Sequence, residues 1–520
     1  MFARAIMQGE YGLSHGEVVC WDKRLLGEGS PQQASDPPWL LQSMRTLHEA
    51  SQSISSEARI QLYQQWLEAS LTRIRALEPY LQAWQTDFSG VSEGSRYLPQ
   101  KHPLNEVPLL RPSCLQGFPT GVKDTMATLA FPTLMGTPLW QTPHMGHNAR
   151  MVACMEEAQC VLLGKTTTAE YGVHTPVLKQ TLNPWAAERH PGTSSTGAAV
   201  AVASGMIPWA IGTQTGASLT RPASYTGVYA LKPTFGLLPR TGILKTSDTL
   251  DTVGFFAQWA TDLYPLLETL RVSGKNHPYV HRSLDARASR PFTRRYLGAK
   301  PWRVGVLMHP PWETVASQTS QATQEALQAF YAWCQKASQQ WGEGWKPVTL
   351  PPEVHTLHEL HACLYQASLA YYTKEEWRAK RLELDGSHTF SEALTRMIVA
   401  GERITPQAYR EALAAQDAWI HTLDAWWQAQ AIDILLTPST MGVAPPLTEA
   451  EWADAGLVWT LSHVPVVNIP FVLTSTTQNP LPMGISAVAP RYHDDMLLSW
   501  LMEGVSKHVF PPRSVTPLCI

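Results

Sequence analysis

The chain has 520 residues, 44% of them hydrophobic and 16% charged, with a formal net charge of −3. That composition belongs to folded chains, not disordered ones, and the length suits about three domains or one large α/β enzyme domain. Near-neutral charge gives no electrostatic case for nucleic acid or an anionic membrane as a partner.

The seven cysteines, at 20, 114, 154, 160, 334, 363 and 519, form no CxxC pair and are odd in number. They argue against a disulfide framework and for a reducing compartment. The opening MFARAIMQGEYGLSHGE has no signal-like apolar core, and the longest apolar region, 198–211, is too short to span a bilayer. The expected location is cytoplasmic.

Residues 1–37 read as a polar N-terminal extension that ends in SDPP and frays. From Trp39 to Trp84 the pattern is helical. Leu62, Trp66, Leu67, Ala69, Leu71, Ile74 and Leu77 recur at three- and four-residue steps, and Pro79 interrupts the run. Residues 87–117 read as a loop. GFPTGVKD then places Lys123 behind a short apolar segment with Asp124 beside it. Taken alone, Lys123 is a surface lysine at a strand end, or one paired with Asp124.

Residues 151–168 read as a helix running into a strand, VLLGK. Gly164-Lys165-Thr166 is not a phosphate loop, because GxxxxGK[ST] needs glycine where Gln159 stands. Cys154 and Cys160, weighed as nucleophiles, lie on this apolar unit and read as inert core thiols. The stretch 191–234 is the most informative. It holds two clusters, GTSSTG at 192–197 and GTQTGAS at 212–218, around an Ala- and Val-rich run. Small residues let backbone N–H groups approach a substrate, and hydroxyls supply nucleophiles or proton carriers. Such a loop suits an oxyanion site. Alternatively, Ser194 and Ser218 cap the segments that follow them.

Beyond it, 236–254 is turn-rich and 271–300 reads as a basic, polar loop. WRVGV at 302–306 reads as a strand and 318–341 as a helix. HTLHELH falls short of HExxH by one residue, so His355, His358 and His361 read as a polar helix face without a metal. Residues 362–430 are helical, 432–438, 464–473 and 483–489 are strands, and 494–505 is an amphipathic helix. This alternation favours an α/β fold.

Three of these segments resemble the amidase signature family. GFPTGVKD is similar to its lysine segment, PGTSSTGAAVAVASG to its GGSSGGS segment, and GTQTGASLTRPASYTGVYALKPTFG to its nucleophile segment. LTRIRALEPYLQAW, VLLGKTTTAEYG, TLDTVG, DILLTPST and PMGISAVAP add further matches in the family's order, over roughly residues 60–505. The resemblance implies a central mixed β-sheet surrounded by helices. It places one domain at 38–510: a helical part (38–90), a catalytic core segment (100–260), an insertion and helical part (271–430), and C-terminal strands and helix (431–505).

The resemblance further implies a Ser–cis-Ser–Lys triad, with Lys123 as base, Ser194 as bridging relay and Ser218 as nucleophile. The 24 residues from Ser194 to Ser218 match the spacing of the family's two segments. Backbone N–H groups of Thr215, Gly216 and Ala217, with that of Ser218, would hold an oxyanion. Tyr365, Tyr371 and Tyr372 would line the acyl pocket. No metal or organic cofactor is implied, the substrate is a small-molecule amide, and a homodimer is a possible assembly.

The chemistry is coherent without the resemblance. Burial lowers a lysine pKa, because desolvation disfavours the ammonium, and a neutral lysine can activate a serine through a second hydroxyl. A linear carboxamide would then yield a carboxylate and ammonia or an amine. Several residues depart from the family pattern. Gln214 replaces an aspartate, Ala217 a glycine, and Thr220 an arginine, with Arg221 next to it; Thr193, Thr196 and Ala198 also differ. Loss of the acid and the base together is either a coordinated change or decay. Three functions follow: a stand-alone amidase, the glutaminase-like amidase subunit of an amidotransferase complex, or a catalytically inactive amidase-like binding scaffold. The altered GTQTGAS and Thr220 weigh against the second.

Overall fold

A computed structural model describes residues 37–88, 113–137, 139, 145–173, 180–271, 301–308, 321–341, 344–381, 390–473 and 481–514. The expected extension at 1–37 (Pro37 apart), the loop over 89–112 and the polar loop over 272–300 lie outside the described residues.

Ten strands form one mixed sheet: β1 (Pro119–Lys123), β2 (Val161–Thr166), β3 (Trp209–Gln214), β4 (Tyr229–Lys232), β5 (Thr252–Ala257), β6 (Val304–Leu307), β7 (Lys346–Val348), β8 (Ile434–Pro438), β9 (Val466–Leu473) and β10 (Leu481–Val488). Their order is β2-β1-β3-β5-β4-β9-β10-β8-β6-β7. β1 runs parallel to both β2 and β3, whereas β3–β5, β5–β4, β4–β9, β9–β10 and β10–β8 are antiparallel. Helices cover this sheet, so the fold is α/β with a central mixed sheet.

Helix Ser56–Leu81 buries Tyr63, Trp66, Leu67, Ser70, Ile74, Leu77 and Leu81, a stripe at three- and four-residue steps. Ser55 caps its start by accepting from the Ala58 N–H at 3.2 Å. Pro79 does not interrupt it as expected. The helix runs two residues further and ends where Gln82 turns left-handed (φ 50°). Pro79 has no N–H to give the Arg75 carbonyl, so one bond of the ladder is lost, yet the ladder resumes and the Gln82 N–H closes on the Glu78 carbonyl at 3.0 Å.

The apolar run 198–211 divides into helix Thr196–Ala203 and strand β3, with Pro208, which has no N–H to extend a helix, between them. All eight helix residues are buried, because Leu67, Ile74, Leu77, Trp84, Leu163 and Leu219 pack in the same cluster. A helix buried on every side shows no amphipathic stripe. Gly197 has to be glycine here. A Cβ on it would stand 2.1 Å from the Ala83 carbonyl oxygen and 2.4 Å from the Thr167 nitrogen. β5 likewise emerges from what reads as turn-rich sequence, since all six of its residues are buried and no alternation marks it.

Candidate active site

The parallel register of β1 and β3, with Val122 opposite Ile211, sends Lys123 and Thr213 out at the same edge of the sheet. Lys123 is fully buried. Its Nζ donates to Ser194 Oγ at 2.7 Å and to Thr213 Oγ1 at 2.9 Å. Burial pushes its pKa down to about 7, against the opposing pull of the Asp251 carboxylate. Near neutral pH a substantial fraction of this amine is therefore uncharged.

Lys123 does not pair with Asp124. That aspartate binds Lys165 instead (Nζ–Oδ1 3.1 Å), and Lys165 also donates to the Met126 carbonyl at 2.6 Å and Thr133 Oγ1 at 2.7 Å. Both members are buried, so removing one strands a charge. Lys165→Met is expected to lower unfolding stability by about 3–5 kcal/mol, read from a denaturant midpoint at unchanged m-value.

Ser194 follows a cis peptide bond at Thr193–Ser194. It does not cap helix Thr196–Ala203, whose N-cap is Ser195, without a side-chain bond. The Thr193 carbonyl accepts from Arg221 Nε (3.3 Å) and a terminal guanidinium nitrogen (3.2 Å). The Thr193 hydroxyl donates to Glu451 Oε2 at 2.9 Å, which gives this departure from the family glycine a partner of its own. Arg221 also pairs with Glu451 at 3.0 Å and Asp454 at 2.7 Å. Burial opposes its charge, but the two carboxylates outweigh that and keep it protonated.

Ser218 lies at 9% exposure in the turn between β3 and helix Thr220–Thr226, and it does not cap that helix. The structure therefore joins Lys123 to Ser194, and sets Ser218 in the turn leaving β3, the strand that carries Thr213. Gln214 and Thr220, which replace the expected acid and arginine, bond to each other. Gln214 Oε1 accepts from the N–H groups of Leu219 (2.9 Å) and Thr220 (3.0 Å), and from the Thr220 hydroxyl at 3.3 Å. A neutral pair thus stands where the family has a charged one.

In the segment from Thr215 to Ser218 the carbonyl groups of Thr215, Gly216 and Ala217 each accept a hydrogen bond. Among the described residues, the N–H groups of these four residues donate none, although all four residues are buried. Buried N–H groups without a partner are rare, and they suit an incoming oxygen.

A cavity of about 200 Å³ opens beside this edge, lined by Gly172, Thr213, Thr215, Lys245, Thr246 and Asp251 among others. Asp251 accepts from the hydroxyls of Thr215 and Thr246, each at 2.8 Å, and so ties the wall to the loop. None of the tyrosines expected to line the pocket, Tyr365, Tyr371 and Tyr372, is among the residues that do; the tyrosine on its wall is Tyr171. Tyr365 is half-buried, Tyr372 donates to Asp248 at 2.6 Å, and Tyr371 is 71% exposed.

The histidine triplet also departs from a polar face. His355 is exposed and His358 half-buried, while His361 is buried and meets the Thr215 carbonyl at 2.8 Å. Spacing on a helix says which residues share a face, but not what that face meets. Among the described residues no group of three His, Cys, Asp or Glu side chains converges as for a metal ion. Burial raises the pKa of Cys154 and Cys160, leaving both as unreactive thiols.

A family model described as Amidase matches residues 65–498. A Glutamyl-tRNA(Gln) amidotransferase subunit of Deinococcus deserti is 29% identical over 426 residues, covering 75% of this chain and 84% of that protein. Its counterpart in Thermus thermophilus is 28% identical over 462 residues, covering 83% and 91%. Among solved structures, a 6-aminohexanoate cyclic dimer hydrolase superposes with a TM-score of 0.70 at 21% identity, over 91% of this chain and 98% of that one. The corresponding amidotransferase subunit from Thermotoga maritima does so with a TM-score of 0.66 at 23% identity, over 91% and 99%. These two likenesses are of fold.

Proposed function

The chain belongs to the amidase family, and on that premise we propose that it cleaves a carboxamide through an acyl-enzyme formed on Ser218. The observation that carries this reading is the buried contact of Lys123 Nζ with Ser194 Oγ at 2.7 Å. Ser218 Oγ bonds to the amide carbon while its proton passes to Ser194, whose own proton goes to the uncharged Lys123. The oxyanion is held by the N–H groups of Gly216, Ala217 and Ser218, with that of Thr215 beside them, a contribution of about 3–4 kcal/mol for one such donor. The carbon–nitrogen bond then breaks, the relay returns the proton to the leaving nitrogen, and water releases the carboxylate.

The curated relatives favour the glutaminase-like amidase subunit of an amidotransferase complex over a stand-alone amidase, because their names place them in a Glutamyl-tRNA(Gln) amidotransferase. The objection from Gln214 and Thr220 weakens once the two are seen to bond to each other. Glutamine would then be the amide, and the ammonia would be passed on within the complex. The test compares glutamine with a panel of simple carboxamides, using the chain alone and the chain with whatever subunit co-purifies. Glutamine hydrolysis that rises at least about tenfold with the second subunit is the expected result. Efficient turnover of a simple amide by the isolated chain, with no dependence on a partner, would return the reading to a stand-alone amidase.

A further inference from the structure

The peptide unit is a rigid plane, and in the trans form its C=O and N–H point in opposite directions. Anchoring a carbonyl therefore aims the N–H on the other side of the same plane. In the segment 215–218 that rule applies three times. The Ala217 carbonyl accepts from the Arg221 N–H at 2.8 Å, within the turn that starts helix Thr220–Thr226, and this aims the Ser218 N–H. The other two anchors come from far away in the chain. His361 Nε2 meets the Thr215 carbonyl at 2.8 Å, from helix Leu357–Tyr372. Thr460 Oγ1 donates to the Gly216 carbonyl at 2.7 Å, from helix Leu457–Leu461.

We propose that His361 and Thr460 are positioning residues of the oxyanion site, which aim the N–H groups of Gly216 and Ala217 by holding the carbonyls of Thr215 and Gly216. The proposal rests on the acyl-enzyme reading above and names what orients its donors. A carbonyl can only accept, so His361 carries its proton on Nε2. Burial lowers its pKa, which keeps the ring neutral at neutral pH.

Gln214 completes the arrangement. Its Nε2 donates to Thr460 Oγ1 at 3.0 Å, so the threonine's own hydrogen is left for the Gly216 carbonyl. An ionised aspartate at 214 could accept from the Leu219 and Thr220 N–H groups, but it could not donate to Thr460. It would instead draw the Thr460 hydrogen away from Gly216. An amide is the group that can serve both sides at once, which gives the departure at 214 a physical purpose. A Cβ on Gly216 would stand 2.6 Å from Asp454 Oδ2, so the carboxylate that pairs with Arg221 would have to shift to admit one.

The test needs no known substrate. A fluorophosphonate places a phosphoryl oxygen where the oxyanion would sit, Ser218 Oγ bonds to phosphorus, and fluoride leaves as the serine proton enters the relay. Labelling is followed over a range of probe concentrations, to separate the maximal rate from the half-saturating concentration. Thr460→Val and His361→Ala are expected to slow the maximal rate by about tenfold to a hundredfold, with half-saturation changed less than about twofold. Thr460→Ser and His361→Gln, which keep a donor, should recover most of that loss. An unchanged maximal rate in both Thr460→Val and His361→Ala overturns the proposal. So does a loss that tracks falling thermal stability and is not recovered by the donor-keeping variants. If wild type labels at Ser218 while these variants are unaffected, only the positioning role fails. A well-folded wild type that does not label overturns the acyl-enzyme reading and this inference together.

Discussion

Replacing Ser218 by alanine is expected to reduce turnover by about 10⁴–10⁶-fold and to abolish the mass gain on fluorophosphonate treatment. The size follows from what is lost. Without the hydroxyl no acyl-enzyme can form, and what remains is binding plus oxyanion stabilisation of a direct attack by water. Removing one oxygen should barely disturb the fold, because among the described residues Ser218 Oγ makes no hydrogen bond, and the helix that follows does not use it as a cap. The unfolding free energy should therefore stay within about 0.5 kcal/mol of wild type. Intact mass, turnover and a denaturation curve on the same preparation decide the matter. A folded Ser218→Ala protein that keeps most of its activity would leave the proposed mechanism without a nucleophile.

The second large effect is expected at Lys123. Lys123→Met removes the base and should lower kcat/KM by about 10²–10⁴-fold. The pH dependence is the sharper reading. A lysine can accept the relayed proton only when uncharged, and burial sets its pKa at about 7. Activity should therefore fall as the pH drops through about 7 and reach a plateau above it. The carboxylate of Asp251 favours the charged amine, so Asp251→Asn should lower the Lys123 pKa further and move the acid limb to lower pH. Lys232, lowered by burial, and Asp262, raised by burial, also titrate at about 7. A limb due to either would stay in place in Asp251→Asn and persist in the residual activity of Lys123→Met. A profile that does not move in Asp251→Asn would remove Lys123 as its origin.

Much of the fold and candidate site is legible because some information is local. The helical stripe of Ser56–Leu81 follows from side-chain spacing, and VLLGK and ILLTP read as strands because short apolar runs are bounded by Gly, Lys or Pro. Lys123, Ser194, Ser218 and the turn from Thr215 to Ala217 could be named as candidates from three short segments in a recognisable order. The helix–strand division of 198–211 and the strand β5 were not legible, since elements buried on all sides lose the periodicity that distinguishes them.

The amino-acid string by itself determined which reactive groups exist, and at what spacing along the chain. The tertiary structure alone decided what each of them meets. His361 is 146 residues from the carbonyl it contacts, Thr460 is 244 from Gly216, and Glu451 is 258 from Thr193. It also decided that Lys165, not Lys123, takes Asp124. The physical reason is that a peptide plane turns about two soft torsions which residue types leave open, and distant elements close them only once the sheet has set those elements side by side.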